Sequence, residues 1–291
     1  MSLKIKSNNY WTKGFFFIGA FSILILISIS YISIVKLNLN FNRKKCIRSI
    51  SEAQLSLVEN KLETSVQLLY LLSDFMDIYS QETNKDKKNN LLNDVLIDTK
   101  FYDIGFINLN GDVVTANNNY YDVKNKKFFY EIISGKKYYF EYEFDEQINE
   151  YIFYIAIPTY QDKKITGVIF AKEGASEVVG YCDHQENIGE MDKYILHSDG
   201  TIICKNNSSG FNIGENFFNE LNDYNKNNKI LDIQNKIKNK QSTINLLNYK
   251  DGSQIVSIYP IKYTEDFYSI TSVDSKLIKQ SVASIEKGSF I

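Results

Sequence analysis

The chain contains FINLNGDVVTANN at residues 106–118, and this stretch returns as ILHSDGTIICKNN at residues 195–207. Each copy has an apolar run, an Asn-Gly or Asp-Gly step, a β-branched pair and then Asn-Asn. Such a step between β-rich runs is the strongest local signal for a tight hairpin, because glycine tolerates a positive φ. Gly111 and Gly200 lie 89 residues apart (200 − 111). This spacing predicts one small sheet module that occurs twice rather than a solenoid of short period.

The bulk composition bounds the classes of function. The chain has 291 residues, enough for two domains. Its net charge is −2, with 33 basic and 35 acidic side chains, which argues against broad binding of nucleic acid, since that needs a basic face. The three cysteines cannot form a disulfide framework without leaving one over. A Cys182–Cys204 bridge outside the cell and unbridged thiols are both open.

An uncharged run near the N-terminus predicts a membrane anchor. Residues 14–35 read GFFFIGAFSILILISISYISIV, which is 22 positions without a charge. As a helix this run would be about 33 Å long, enough to cross a bilayer. A cleaved signal peptide would have a shorter apolar region that ends in a small-x-small site. We therefore expect a tail at 1–13 on the cytoplasmic side and a transmembrane helix at 14–35. The count of positive charges on its two sides, taken alone, favours the opposite orientation.

The segment after the anchor has a heptad pattern, which predicts a long stalk helix over residues 36–81. Apolar residues recur at heptad positions, with Ser65 as a gap: Leu55, Val58, Leu62, Leu69, Leu72 and Met76. Two interpretations of this stripe are open. It is a homodimer seam, a face packed against the chain's own sheet, or each of these along a different part of the helix. The polar residues 81–90 are predicted to form a loop.

The remainder predicts an α+β fold of two lobes, at 82–178 and 179–275, followed by an exit segment at 276–291 that leads toward a missing second span. In each lobe the hairpin precedes a short helix, near residues 126–134 and 212–221, and then three strands. These strands are expected near 137–145, 150–159 and 164–172 in the first lobe, and near 242–249, 253–261 and 268–273 in the second. Residues 225–240 are rich in Asn and Lys and are predicted to be an exposed excursion.

The chain has an anchor, a long helix and two lobes of this strand order. In this arrangement it resembles the double Cache sensor domain of bacterial membrane receptors. The matching stretches are residues 106–111, DVKNKKFF at 122–129, IAIP at 155–158, ITGVI at 165–169, ILHSDGTII at 195–203, NIGENF at 212–217 and VSIYP at 256–260. The resemblance covers residues 37–280 and implies two PAS-like antiparallel-sheet lobes outside the cell membrane. It also implies that a small molecule binds in the first, membrane-distal lobe.

In such receptors the long helices drive a cytoplasmic output, which is a chemoreceptor, a histidine kinase or a cyclic-di-GMP enzyme. No sequence of such an output is recognisable between residues 1 and 291. We therefore expect either a fragment that stops before its second span or a receptor without its effector. The alternative function is a membrane-anchored structural or interaction protein that uses the same fold.

The resemblance also suggests which residues bind the ligand. In the amino-acid-binding subset an arginine pairs with the ligand carboxylate and a last-strand carboxylate holds the ammonium. Here these positions are Lys126 and Lys172. Lysine lacks the planar fork of arginine, and Lys172 would repel an amine, so we expect an anionic metabolite rather than an ordinary α-amino acid. The predicted ligand-binding residues are Asp122, Lys126, Phe128, Phe129, Tyr139, Tyr154 and Lys172.

A purely structural role is also open for each of these residues. Each aromatic side chain could belong to the core, and Asp122 could cap the helix that follows it. The sequence shows no Ser-His-Asp or Cys-His arrangement and no paired acids. His184 and His197 lie in different elements and are weak evidence for a metal site. We expect no enzymatic activity, no cofactor and no metal.

Overall fold

The computed structural model describes residues 9–78, 85–117, 126–180, 191–206 and 211–276. Within the helices, it leaves out the side chains of residues 9–24, 35–36, 39–40, 43, 76–78, 85–88 and 179–180. The chain divides into one unit at Ile47–Ser275 and a second formed by Met1–Cys46 with Lys276–Ile291. Cys182, His184 and Asp122, as well as the exit segment beyond residue 276, lie outside the described residues.

The described part contains six helices and ten strands. The helices are α1 (Asn9–Ile78), α2 (Lys85–Ile97), α3 (Lys127–Ile133), α4 (Ala175–Gly180), α5 (Phe217–Asn222) and α6 (Asn227–Lys238). The first five strands are β1 (Asp103–Asn108), β2 (Val113–Thr115), β3 (Tyr139–Asp145), β4 (Glu150–Gln161) and β5 (Lys164–Gly174). The others are β6 (Met191–His197), β7 (Ile202–Lys205), β8 (Thr243–Tyr249), β9 (Gly252–Pro260) and β10 (Phe267–Asp274).

These strands form two antiparallel sheets with the same topology. Their orders are β2-β1-β5-β4-β3 and β7-β6-β10-β9-β8, so each lobe repeats one arrangement of five strands. The repeated hairpins turn at Gly111 and Gly200, whose φ angles are 85° and 98°, a region that glycine adopts without steric cost. The expected α+β architecture of two tandem lobes is confirmed.

The heptad stripe of α1 packs against the chain's own lobes. Val58, Leu62, Leu69 and Leu72 are buried. They share one apolar cluster with residues of both sheets, which include Ile155, Ile169, Ala171, Ile195, Ile203 and Phe267. Along residues 58–72 the stripe therefore packs against the chain's own lobes. It is not available as a dimer seam there.

Polar contacts also join α1 to both lobes. In the first lobe, the buried carboxylate of Glu173 forms an ion pair with Lys61 and accepts a hydrogen bond from Ser65 at 3.0 Å. In the second lobe, the Tyr263 hydroxyl donates a hydrogen bond to Glu63 at 2.7 Å. A single helix is thus bonded to both lobes within a few residues.

Two local predictions were wrong. Residues 227–238 form α6 rather than an exposed excursion, because Ile230, Ile233 and Ile237 recur at helical spacing and are buried. The predicted polar loop at 81–90 is helical from Lys85 onward, where α2 begins; residues 79–84 lie outside the described residues.

The predicted transmembrane segment at 14–35 lies within α1, and the side chains of its residues 14–24 are outside the described part. Among the residues that the structure describes, no helix contains a stretch that is long and apolar enough to cross a membrane.

The buried ion pair generates a first prediction. Glu173→Gln leaves the largely buried Lys61 ammonium without its countercharge, and we expect the free energy of unfolding to fall by about 3 kcal/mol. The control is Glu177→Gln, which removes an exposed ion pair with Lys100 and is expected to cost less than about 1 kcal/mol. Urea unfolding of the full chain measures both. Equal losses in the two variants would contradict the role assigned to Glu173.

Candidate ligand-binding site

A row of four polar side chains crosses the first sheet. Asp103 of β1 lies opposite Lys172 of β5, Lys172 lies opposite Tyr154 of β4, and Tyr154 lies opposite Glu141 of β3. Directly opposed residues of antiparallel strands project from the same face. Helix α3 packs on this face, which we call the α3 face, and α1 packs on the opposite one.

Stacked aromatic rings join α3 to this row. The Phe128 ring stacks on Tyr154, with centroids 5.4 Å apart and an interplanar angle of 21°. The ring centroids of Phe128 and Phe170 are 5.6 Å apart. All three side chains are buried, so the structure brings Phe128 and Tyr154 together as the apolar floor of the site.

The two predicted cationic residues meet at the same ring. The Lys126 Nζ lies 5.1 Å from the Tyr154 ring centroid, and the Lys172 Nζ lies 5.7 Å from it. Lys126 forms an ion pair with Glu143, and the Lys172 Nζ is 3.7 Å from Asp145 Oδ2. An anion that binds here would therefore displace a carboxylate of the protein from one or both ammonium groups.

Carboxylates of β3 and β1 are the site residues that the sequence analysis missed. Glu141, Glu143 and Asp145 alternate along β3, and side chains two apart on a strand share one face. The Glu141 carboxylate accepts a hydrogen bond from the Phe128 N–H at 2.7 Å, at the start of α3. Asp103 accepts one from the Ile104 N–H at 2.9 Å. The signal in the sequence that could have indicated them is the acidic residue at every second position of this strand.

The remaining predicted residues have different surroundings. Tyr139 is buried, and its ring lies 5.5 Å from Lys127 Nζ and 4.7 Å from Lys136 Nζ. The hydrogen bond with Tyr139 raises the pKa of Lys127. Phe129 is buried in the cluster under α3. Tyr139 thus lies beside two lysines, Lys127 and Lys136, that the prediction did not include.

The corresponding row of the second lobe has other chemistry. It consists of Asp192, Ser272, Val256 and Asn245 in strand register. The face is covered by α5 and α6, whose buried Phe217, Leu221, Ile230, Ile233 and Ile237 join one apolar cluster. This row contains no lysine, so the cationic row belongs to the first lobe.

The chain was compared with known proteins. No protein-family model matches the sequence, and no curated protein matches it. The fold is similar to the ligand-binding domain of the Pseudomonas aeruginosa PAO1 amino acid chemoreceptor PctB in complex with L-Arg, with a TM-score of 0.60, 18% identity, and coverage of 79% of this chain and 94% of that one.

Two further structures are similar. The ligand-binding domain of the Pseudomonas fluorescens chemoreceptor CtaA in complex with L-isoleucine has a TM-score of 0.65 at 12% identity, covering 84% of this chain and 97% of that one. That of the Pseudomonas aeruginosa PAO1 chemoreceptor PctC in complex with GABA has a TM-score of 0.62 at 12% identity, covering 78% and 98%. These likenesses show the fold. They confirm, at that level, the resemblance to double Cache sensor domains.

A close approach on the α3 face generates a second prediction. Gly105 lies opposite Phe170, and a Cβ at Gly105 would sit 2.4 Å from the Phe170 ring. Gly105→Ala is therefore expected to displace that ring and to lower the free energy of unfolding by about 1–3 kcal/mol. Combining it with Phe170→Leu makes room, so the double variant should lose less than the sum of the single losses. Strict additivity in urea unfolding would contradict this packing.

Proposed function

We propose that this chain is the extracytoplasmic sensor region of a membrane receptor, which binds a small molecule on the α3 face and transmits the signal through α1. The observation that carries the proposal is the pair of lysines, Lys126 and Lys172, over one tyrosine ring on the α3 face. The shared fold with chemoreceptor ligand-binding domains supports it. The output is a chemoreceptor, a histidine kinase or a cyclic-di-GMP enzyme.

Within the part of the chain that the structure describes, the α3 face has four carboxylates beside Lys126 and Lys172, so an anionic ligand has to take the place of one of these carboxylates. Asp103 and Glu141 are engaged by backbone N–H groups of the protein, while Lys126 is held by Glu143, whose side chain is 46% exposed. A ligand carboxylate can replace that exposed carboxylate without leaving a buried charge unpaired. A ligand amine next to Lys172 would meet a like charge, which is costly at a largely buried position.

Calorimetric titration of the full chain tests this ligand class. We expect small carboxylates to bind and ordinary α-amino acids not to bind. Lys126→Gln and Lys172→Gln should each weaken carboxylate binding at least about tenfold, because a charged hydrogen bond contributes about 1.5–3 kcal/mol. The control is Lys164→Gln, which removes an exposed charge at the start of β5 and should leave the affinity unchanged.

Tight binding of amino acids would contradict an anion site on the α3 face. Equal affinities of carboxylates for the native chain and all three variants would contradict it as well. Absence of binding by every compound would favour the structural or interaction protein instead.

Membrane anchoring is part of the same proposal. Residues with exposed apolar side chains follow one another on α1 and include Ile25, Leu26, Ile27, Ile29, Ile32 and Ile34. A helix that is apolar all round suits a lipid environment. We therefore retain 14–35 as the span, with residues 47–275 outside the cell. The exposed Leu71 and Phe75 of α1 are the apolar positions that we assign to a homodimer contact.

Reporter fusions test the orientation. Alkaline phosphatase fused after Ser80 is expected to be active and green fluorescent protein fused there to be dark, because phosphatase folds outside the cytoplasm and the fluorescent protein inside it. The matched fusions after Ser7, before the span, should give the reverse. Fluorescence without phosphatase activity at Ser80 would overturn the proposed orientation.

A further inference from the structure

A groove of about 460 Å³ between the two lobes has a strongly basic lining. Among the residues that the structure describes, its lining includes one acid, Glu265, and four lysines from both lobes, Lys136, Lys137, Lys240 and Lys262. We call this feature the lysine groove. No residue of the row of Asp103, Lys172, Tyr154 and Glu141 lines this groove, and Tyr139 is the one predicted ligand-binding residue in the lining that the structure describes.

The charges of the groove are only partly compensated. Lys136 forms ion pairs with Glu131 at 3.1 Å and with Glu265 of the other lobe. Its hydrogen bond with Glu265 raises the pKa of Lys136 and lowers that of Glu265. Within the described ranges, no carboxylate oxygen lies within 4.0 Å of the ammonium groups of Lys137, Lys240 or Lys262. The lining itself therefore has more basic than acidic side chains, and the carboxylates of Glu59, Glu63 and Glu131 bond to its walls from outside the lining.

The walls of the groove are ordered by contacts with α1. The Tyr70 hydroxyl donates to the Lys137 carbonyl oxygen at 2.5 Å, and the Lys262 N–H donates to Glu59 at 2.8 Å. Tyr263, which donates to Glu63, packs edge-on against Tyr138 at 6.2 Å. Two backbone groups and one side chain of the groove walls thus bond to α1, and an occupant would contact both lobes.

Lys240 has an unusual backbone conformation. It follows the C-cap of α6 with a φ of 53°, in the left-handed region. Glycine is the usual residue at this position of a helix end, because a Cβ is disfavoured there. Lys163 adopts the same conformation in the β4–β5 turn; Lys240 differs from it in lining the groove.

We propose that the lysine groove is a second ligand site, which binds a small polyanion with at least two negative charges, such as a tricarboxylate or a pyrophosphate. Such a ligand replaces Glu265 at Lys136 and contacts Lys240 and Lys262, so that it joins residues of both lobes. Because α1 is bonded to the walls at three points, occupancy of the groove acts on the same helix as occupancy of the α3 face.

Titration calorimetry of the full chain with citrate and with pyrophosphate tests the proposal. The variant is Lys240→Gly, and the matched control is Lys163→Gly, an exposed lysine in the β4–β5 turn with a φ of 65°. Glycine is unstrained at both positions, so neither variant is expected to unfold. We expect at least one probe to bind, Lys240→Gly to weaken it about fivefold, and Lys163→Gly to bind as the native chain does.

The probe that binds with the higher affinity, citrate or pyrophosphate, shows whether the groove prefers carboxylate or phosphate groups. Equal affinities of the native chain, Lys240→Gly and Lys163→Gly would place the anion elsewhere and overturn the proposal. Absence of binding by both probes to the native chain would overturn it as well.

Discussion

Glu173 is fully buried, and its carboxylate lies between the Lys61 ammonium and the Ser65 hydroxyl of α1. Separating a buried ion pair leaves an uncompensated charge in the interior, which costs several kcal/mol, so β5 and α1 are held together firmly. The preceding residue, Lys172, projects from the other face of the same strand and lies over Tyr154. Consecutive residues of one strand therefore face the candidate ligand site and the long helix, which is the route that we propose for the signal.

The two lobes share a strand order but differ in what covers the sheet. In the first lobe the seven-residue α3 lies over a row that contains a lysine and two carboxylates. In the second lobe the longer α6 fills the equivalent face with Ile230, Ile233 and Ile237. Apolar side chains fill the covered face of the second lobe, while the equivalent row of the first lobe holds the buried Asp103 and Lys172, where we propose that a small molecule binds.

Patterns that depend on near neighbours were readable from the sequence. The hairpins at Gly111 and Gly200 followed from turn chemistry, and the strands followed from alternation. Helix α6 was missed because abundant Asn and Lys concealed three isoleucines at helical spacing. The acids of β3 were missed because alternating charge on a strand looks the same whether solvent or a helix covers it. The pairing of Glu173 with Lys61 joins residues more than a hundred positions apart, and no local pattern reports such a contact.

Amide hydrogen exchange of the full chain, with and without a bound carboxylate, tests the link between the α3 face and α1 most directly. We predict that the ligand slows exchange in residues 170–174 of β5 and also in residues 58–66 of α1, since Glu173 joins these two segments. Slower exchange that is confined to α3 and β5, with α1 unchanged, would contradict transmission through this contact.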